Sequence, residues 1–536
     1  MPEFDVLVIG GGASGLRAAI AAKEAGASVG LISKAHPLRT HTGLIQGGLN
    51  APLDPDDSPE SFAADTMQAG DGLCDSEAVK TFAGEAARDV LWLERAGTPF
   101  NRDAQGKLAF RAFGSNSRNR SVFADDRTGH MALQVLYEQL QRARVTAFEE
   151  WYVTSLVIED GACTGALALG LRSGSLEAFS ARAVILATGG LGRLYAPSTG
   201  SVGTTGDGQS LAYQAGAGLV DMEFVQFHPM IFPAGPGLLI TEATLGEGAQ
   251  LVDAKGAAVD TRGLPRHQLA LATQSSNGDS AKIDLRPIGA ANIMTRFPQT
   301  HELVKAMSGL DVTQEAIPVR PAAHRPMGGI ETNASGETSI RGLFAAGECA
   351  SNGVHGASRM AGNTLTEALV FGRRAGEAAA SHARLESRKS VSQSRLGDEE
   401  NRIQGITGEN TSGDTPGKLH AELTALMDQQ VGLVRDAAGL DAAIGKIRGL
   451  KDRYSRIKIG ATTRVFNYGL TGYFEVGAML TCAELIAVSA RQRTETRGAH
   501  RRSDFPAKDD ANWSAHTTAR LVDGSPAVEK KPITAA

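Results

Sequence analysis

The earliest pattern along the chain is a short, mostly apolar run, Phe4-Asp-Val-Leu-Val-Ile9, stopped by three glycines. A run of this length ending in glycine predicts a strand buried on both faces of a parallel sheet. Helix formers fill residues 14–25, and Ala27-Ser-Val-Gly-Leu-Ile-Ser33 predicts a second strand, so the opening reads as a βαβ unit. The same pattern, strand then glycine turn, returns at Ala183-Val-Ile-Leu-Ala-Thr-Gly-Gly190 and again at Gly342-Leu-Phe-Ala-Ala-Gly-Glu348. The wide separation of these two predicts a nucleotide-binding domain over residues 1–226 and 336–385, interrupted by an inserted capping domain at 227–335.

Residues 385–416 are rich in Ser, Gly, Glu and Arg and read as a linker or mobile loop. Helical periodicity then appears at 417–430, 438–453 and 472–492, which predicts a C-terminal helical domain over 417–520. The final fifteen or so residues read as a disordered tail. The expected fold class is α/β: a Rossmann-like domain interrupted by an α+β capping domain and followed by helices.

Length and composition narrow the classes. A chain of 536 residues is too long for one ordinary core, so two or three domains are expected. An apolar share of 42% with 21% charged residues is that of a soluble globular protein, and the net charge of −5 argues against a nucleic-acid partner. The chain has no run of about 18 apolar residues, so no membrane-spanning helix is expected. Its start, Met-Pro-Glu-Phe-Asp, lacks the basic segment and cleavage site of a signal peptide. Cys74, Cys163, Cys349 and Cys482 show no C-x-x-C spacing. They predict buried reduced thiols and no metal or iron–sulfur cluster held by this chain alone.

Gly10-Gly11-Gly12-Ala13-Ser14-Gly15 matches G-x-G-x-x-G between a strand and a helix. Gly10 permits the tight turn, Gly12 lets backbone approach a pyrophosphate, and Gly15 lets the helix pack on the strand. The helix N-terminus then favours the phosphate charge. Ser33-Lys34 stand where a NAD site usually carries an acid, which weighs against NAD; Glu348 is the better candidate for a ribose hydroxyl.

From these residues onward the chain resembles the flavoprotein subunits of succinate dehydrogenase and fumarate reductase, with L-aspartate oxidase as a related branch. The resemblance is carried by Arg39-Thr-His-Thr42, Gln46-Gly-Gly48, Asp126-Arg-Thr-Gly-His130, Ala187-Thr-Gly-Gly190 and Thr205-Gly-Asp-Gly208. It continues through Gln226-Phe-His-Pro229, Thr241-Glu242, Gly246-Glu-Gly248, Pro265-Arg266, His324 before Met327-Gly-Gly329, His355-Gly-Ala-Ser-Arg359, Gly362-Asn-Thr-Leu365, Arg497-Gly-Ala-His500 and Asp504-Phe-Pro506.

The resemblance implies FAD as cofactor, held by Gly10, Gly12, Ala13, Gly15, Ser33, Lys34, Thr40, His41, Thr42, Gln46, Gly47 and Gly48. Ala187, Thr188, Gly189, Asp207, Glu348, Arg359, Asn363, Thr364 and Leu365 complete the implied set. It further implies that His41 bonds the flavin covalently, a histidine that aspartate oxidases generally lack. Phe113 stands where those oxidases place a glutamate for the substrate ammonium, so both signals favour a dicarboxylate without an amino group.

Oxidising such a substrate needs groups that fix two carboxylates, a hydride acceptor and a proton acceptor. The resemblance implies His228, Thr241, His324 and Arg359 for the carboxylates and Arg266, assisted by Glu242, for the proton. The chain departs from the family at Leu245 and Arg325, where an arginine and a tyrosine are usual, and at His267 in place of an aspartate. Arg325 or His267 is the expected substitute in the proton route. With no cluster of its own, the chain is expected to pass electrons to an iron–sulfur subunit on a membrane anchor, sitting peripherally on the cytoplasmic side. The alternatives are a soluble L-aspartate oxidase-like enzyme, or a member acting on a different carboxylate.

Overall fold

The computed structural model describes residues 1–113, 116–235, 237–274, 280–387, 389–461 and 463–533. Gly114 and Ser115, in the segment that follows Phe113, and the last three residues of the expected tail lie outside these.

The opening strand, Glu3–Ile9, pairs in parallel with Val29–Ser33 on one side and Leu176–Leu186 on the other. Val6 and Val8 face one hydrophobic core and Leu7 and Ile9 another. A strand that must fill two cores cannot alternate with polar residues, which explains the unbroken run. The helices Ala13–Glu24 and Asn363–Leu385 pack together over the first of these cores. Leu343–Ala345 lies parallel to Leu176–Leu186, so the last glycine-ended strand rejoins the first sheet after the insertion.

The inserted region carries a six-stranded sheet centred on Val225–Phe232 paired antiparallel with Ile317–Pro326. Its core gathers Met230, Phe232, Ile283 and Val319, and takes in Phe113 from outside the insertion. The fold is α/β, a Rossmann-like FAD-binding domain with a mixed α/β cap and a C-terminal helical domain. The C-terminal helices are Pro416–Gln430, Ala437–Tyr454 and Tyr468–Gln492.

Three expectations are corrected here. The expected linker contains the helix Gln393–Ile406, capped by Ser392, with Ile403 and Ile406 buried. Those two isoleucines anchor it at helical spacing, a signal masked by the polar residues between them. The expected tail forms a hairpin, Ala515–Val522 with Ser525–Pro532, whose first strand pairs with Leu219–Val220. Burial of Thr517 and Ala519 against the body orders it, although its outer strand is mostly polar. Finally, Tyr468–Gln492 is by length and composition apolar enough to cross a membrane. Most of it is packed inside the protein, where Tyr473, Met479, Leu480 and Ile486 fill the C-terminal core.

That domain is tied to the rest by a fully buried ion network. Arg493 donates to Glu223 at 2.6 Å and to Glu495 at 3.0 Å, and its remaining nitrogen reaches the Ala515 carbonyl at 2.8 Å.

Candidate active site

The glycine turn after the first strand opens a cleft enclosing about 1100 Å³ of empty space. Gly10 has φ +122° and backs onto the Ala187 carbonyl, while a side chain on Gly15 would collide with the Gly10 carbonyl. Only glycine fits both positions. The cleft is lined by Gly10, Gly12, Ala13, Ser33, Lys34, Thr40, His41, Thr42, Ala187, Thr188, Gly189, Asp207, Glu348, Thr364 and Leu365. Lys34 is not a solitary cation in it: its ammonium pairs with Asp207 at 2.7 Å and with Glu475 of the C-terminal domain at 2.9 Å.

The other expected cofactor residues lie elsewhere. Gly15 packs beneath the turn. Gln46, Gly47, Gly48 and Arg359 line a second cavity of about 540 Å³. The Asn363 side chain is buried between Asn50, from which it accepts at 2.8 Å, and Thr66, to which it donates at 3.1 Å. It fixes the loop against which the helix Asn363–Leu385 begins.

The second cavity shares His41, Arg325 and Thr364 with the cleft. Around it stand Phe113, His228, Thr241, Glu242, Arg266, His324 and Arg359, so all six expected catalytic side chains meet in one space. Arg266 donates from Nε to Glu242 at 2.6 Å and also from Nη2 to the same oxygen. Its Nη1 donates to the Gln226 side-chain carbonyl at 2.8 Å, which Arg359 also approaches at 3.3 Å. Burial alone would raise the Glu242 carboxyl, but the charge and hydrogen bonds of Arg266 outweigh it and hold Glu242 below the usual range. Burial, then the neighbouring Arg266 and Arg325, push Arg359 well below an ordinary arginine. No carboxylate bonds Arg359 among the described residues; the site is short of an anion.

His228 lies 3.7 Å from Glu242, and its ring meets that of His324 with centroids 5.1 Å apart. Their Nδ1 atoms are engaged, His228 with Met230 and His324 with Thr199 at 2.7 Å. Burial pushes His228 down to about 3, and also lowers His324 and His41 well below the normal histidine range. All three rings are neutral at pH 7. His41 accepts from the Ser201 amide through Nδ1 at 3.2 Å, which puts the ring proton on Nε2.

Of the two expected substitutes in the proton route, Arg325 lines the second cavity and His267 does not. Arg325 forms an ion pair with Glu348 on the cleft side, and His267, although next to Arg266, lines neither cavity. Leu245 packs against the capping core. Gln226 and Thr199 were not singled out as site residues from the sequence. Gln226 had a signal, since it lies two positions before His228 on a strand and so shares its face; Thr199 had none, because a loop brings it to His324.

A model of the FAD binding domain matches residues 5–365, and one of the fumarate reductase flavoprotein C-terminal region matches 420–536. The chain belongs to the succinate dehydrogenase and fumarate reductase flavoprotein family. The fumarate reductase flavoprotein subunit of Mycobacterium tuberculosis is 37% identical over 99% of this chain and 97% of its own length. The succinate dehydrogenase flavoprotein subunit of Rickettsia conorii is 35% identical over 99% and 95%. A quinol fumarate reductase flavoprotein chain of Escherichia coli superposes with a TM-score of 0.94 at 35% identity, covering 100% of this chain and 98% of that one.

This family member is therefore an FAD-dependent oxidoreductase, and its cleft fits the cofactor. Besides its glycine floor, it carries buried hydroxyls, among them those of Ser14, Thr40 and Thr364, without a protein partner among the described residues. Each unmet hydroxyl costs about 1–3 kcal/mol, a cost that hydrogen bonds to a polar cofactor offset. The four cysteines are free and buried, as expected for the thiols.

Proposed function

We propose that this chain is the catalytic flavoprotein subunit of an enzyme that interconverts succinate and fumarate. The observation that carries the reading is the cation Arg359, without a carboxylate partner, set across Gln226 from the neutralised Arg266–Glu242 pair in the cavity that touches His41. A dicarboxylate supplies the missing anion, and a guanidinium fork suits it. His228 and His324, with Nδ1 occupied, offer Nε2 to the second carboxylate, beside the Thr241 hydroxyl. Phe113 closes the cavity with an apolar ring and gives a substrate ammonium no partner.

Bound FAD supplies the hydride acceptor or donor. Arg266 moves the proton of the neighbouring carbon at an Nη atom, and Glu242, bonded to two of its nitrogens, balances the charge as that proton comes and goes. Closure of the cavity by buried side chains keeps water from these groups and strengthens each interaction. His41, neutral and with Nε2 turned away from the Ser201 amide, is the nitrogen that bonds the flavin. Electrons leave to an iron–sulfur subunit on a membrane anchor. The chain thus sits on the cytoplasmic face through its partners, as the likeness to a quinol fumarate reductase supports.

Arg266→Gln in the purified holoenzyme, assayed with succinate, fumarate and L-aspartate against artificial electron carriers, tests this reading. The expected result is wild-type turnover of succinate and fumarate only, lost in the variant by a factor of about 10² to 10⁴ while flavin absorbance stays. Undiminished turnover by the variant would overturn the role of Arg266, and activity with L-aspartate alone would overturn the substrate.

A further inference from the structure

A third cavity of about 370 Å³ adjoins the cofactor cleft, and Arg325, Glu348 and Glu367 line both. Glu367 and the groups facing it come from four places. Glu348 and Cys349 stand on the turn after Leu343–Ala345, Arg325 on the strand Ile317–Pro326, His355 and Arg359 on the loop before the helix Asn363–Leu385, and Glu367 itself on that helix. Their charges do not balance evenly. Arg325 is neutralised by Glu348. Glu367 is buried and makes no hydrogen bond or ion pair among the described residues, yet it borders both the cofactor cleft and the adjoining cavity. A buried carboxyl of this kind has no partner to hold it ionised, so its protonation follows the charge of whatever lies in the cleft.

We propose that Glu367 is a redox-linked protonation site: in alkaline solution, where its carboxyl is ionised in the oxidised enzyme, Glu367 takes one proton from solvent for each two electrons that reach the cleft, forming an O–H bond that breaks on reoxidation. The inference rests on the reading that the cleft lined by His41 and Thr364 holds the flavin. Electrons come from the flavin's own reductant, and the proton from water in the cavity that Glu367 lines. Burial, and then the Glu348 charge, hold the carboxyl up at about 8, against the opposing pull of Arg325 and Arg359. Near pH 7 Glu367 is therefore protonated whatever the flavin's state; above pH 8 it ionises in the oxidised enzyme and recovers its proton as negative charge arrives.

The test is the midpoint potential of the bound flavin, poised with an electrode and mediators from about pH 6 to 10, in the wild type and in Glu367→Gln. Substrate plays no part, so the result is independent of the substrate proposed above, and acid precipitation of the same samples reads the His41 linkage separately. The two proteins should coincide below about pH 7. Above about pH 8 the wild-type potential should fall more steeply, by one proton per two electrons. Parallel profiles throughout would overturn the proposal. Should the variant fail to hold flavin, the infrared difference spectrum of the wild type on reduction at about pH 9 decides: a new protonated-carboxyl band supports the proposal, and its absence refutes it.

Discussion

Arg266 and Glu242 meet through one carboxylate oxygen, which accepts from two nitrogens of the guanidinium, Nε at 2.6 Å and Nη2 beside it. Both side chains are buried, so the pair stands in low dielectric and neither partner can be lost without leaving the other uncompensated. The arrangement makes Glu242 the charge reference for any proton that Arg266 handles.

Glu242→Gln keeps the shape and an acceptor but removes the charge. We expect kcat to fall by a factor of about 10² or more with little change in KM, since Arg359 and the histidines still hold the substrate. Steady-state kinetics with succinate check this; a rise in KM at constant kcat would assign Glu242 to binding instead.

His41→Ala removes the proposed tether but none of the cleft floor. Flavin should remain with the native variant yet wash out of an acid precipitate, whereas the wild-type pellet stays yellow. A yellow pellet from the variant would place the linkage elsewhere.

Phe113→Glu places a carboxylate in the cavity that Arg359 leaves electropositive. Like charges within a few ångströms repel by some kcal/mol, so succinate binding should weaken at least about tenfold. The change should show in KM and in competitive inhibition by dicarboxylates.

Arg493→Ala tests the joint between domains. Its fully buried partner Glu223 would be left charged with only the Thr517 hydroxyl, while Glu495 keeps Arg497, a loss of about 3–5 kcal/mol. Thermal and denaturant unfolding should both register it, with the flavin linkage unchanged in protein that remains folded.

Acid sensitivity follows from the buried neutral histidines. Burial, and then Arg435, hold His500 well below the ordinary range, and His41, His228, His324 and His355 shift the same way. The unfolded chain binds protons on these rings below about pH 6.5 while the folded chain does not, so stability is full above that pH and declines as pH falls through it. His500→Asn should make that decline shallower, by up to about 1.4 kcal/mol per pH unit. An unchanged slope between about pH 6.5 and 5 would count against a neutral His500.

Local physics made much of this protein legible in the sequence. The run at Val6–Ile9 announced a doubly buried strand because every residue in it faces one of two cores. Gly10 and Gly15 announced the cleft because no side chain fits where they stand. The periodic helices near the C-terminus were readable for the same reason, since each must present an apolar face to its neighbours. The residues that the resemblance marked for chemistry, from His228 to Arg359, were nameable one by one.

What the tertiary structure decided are the pairings, which depend on approach between positions far apart in the chain. That Glu242 pairs with Arg266, that Gln226 spans two arginines, and that Arg325 pairs with Glu348 has no local cause in sequence; each is set by how the capping sheet lies against the FAD-binding domain. The same holds for the chain's end. Its hairpin is polar and short by itself, and becomes ordered only because Leu219–Val220 offers an open sheet edge and a buried surface on which its inner face can pack.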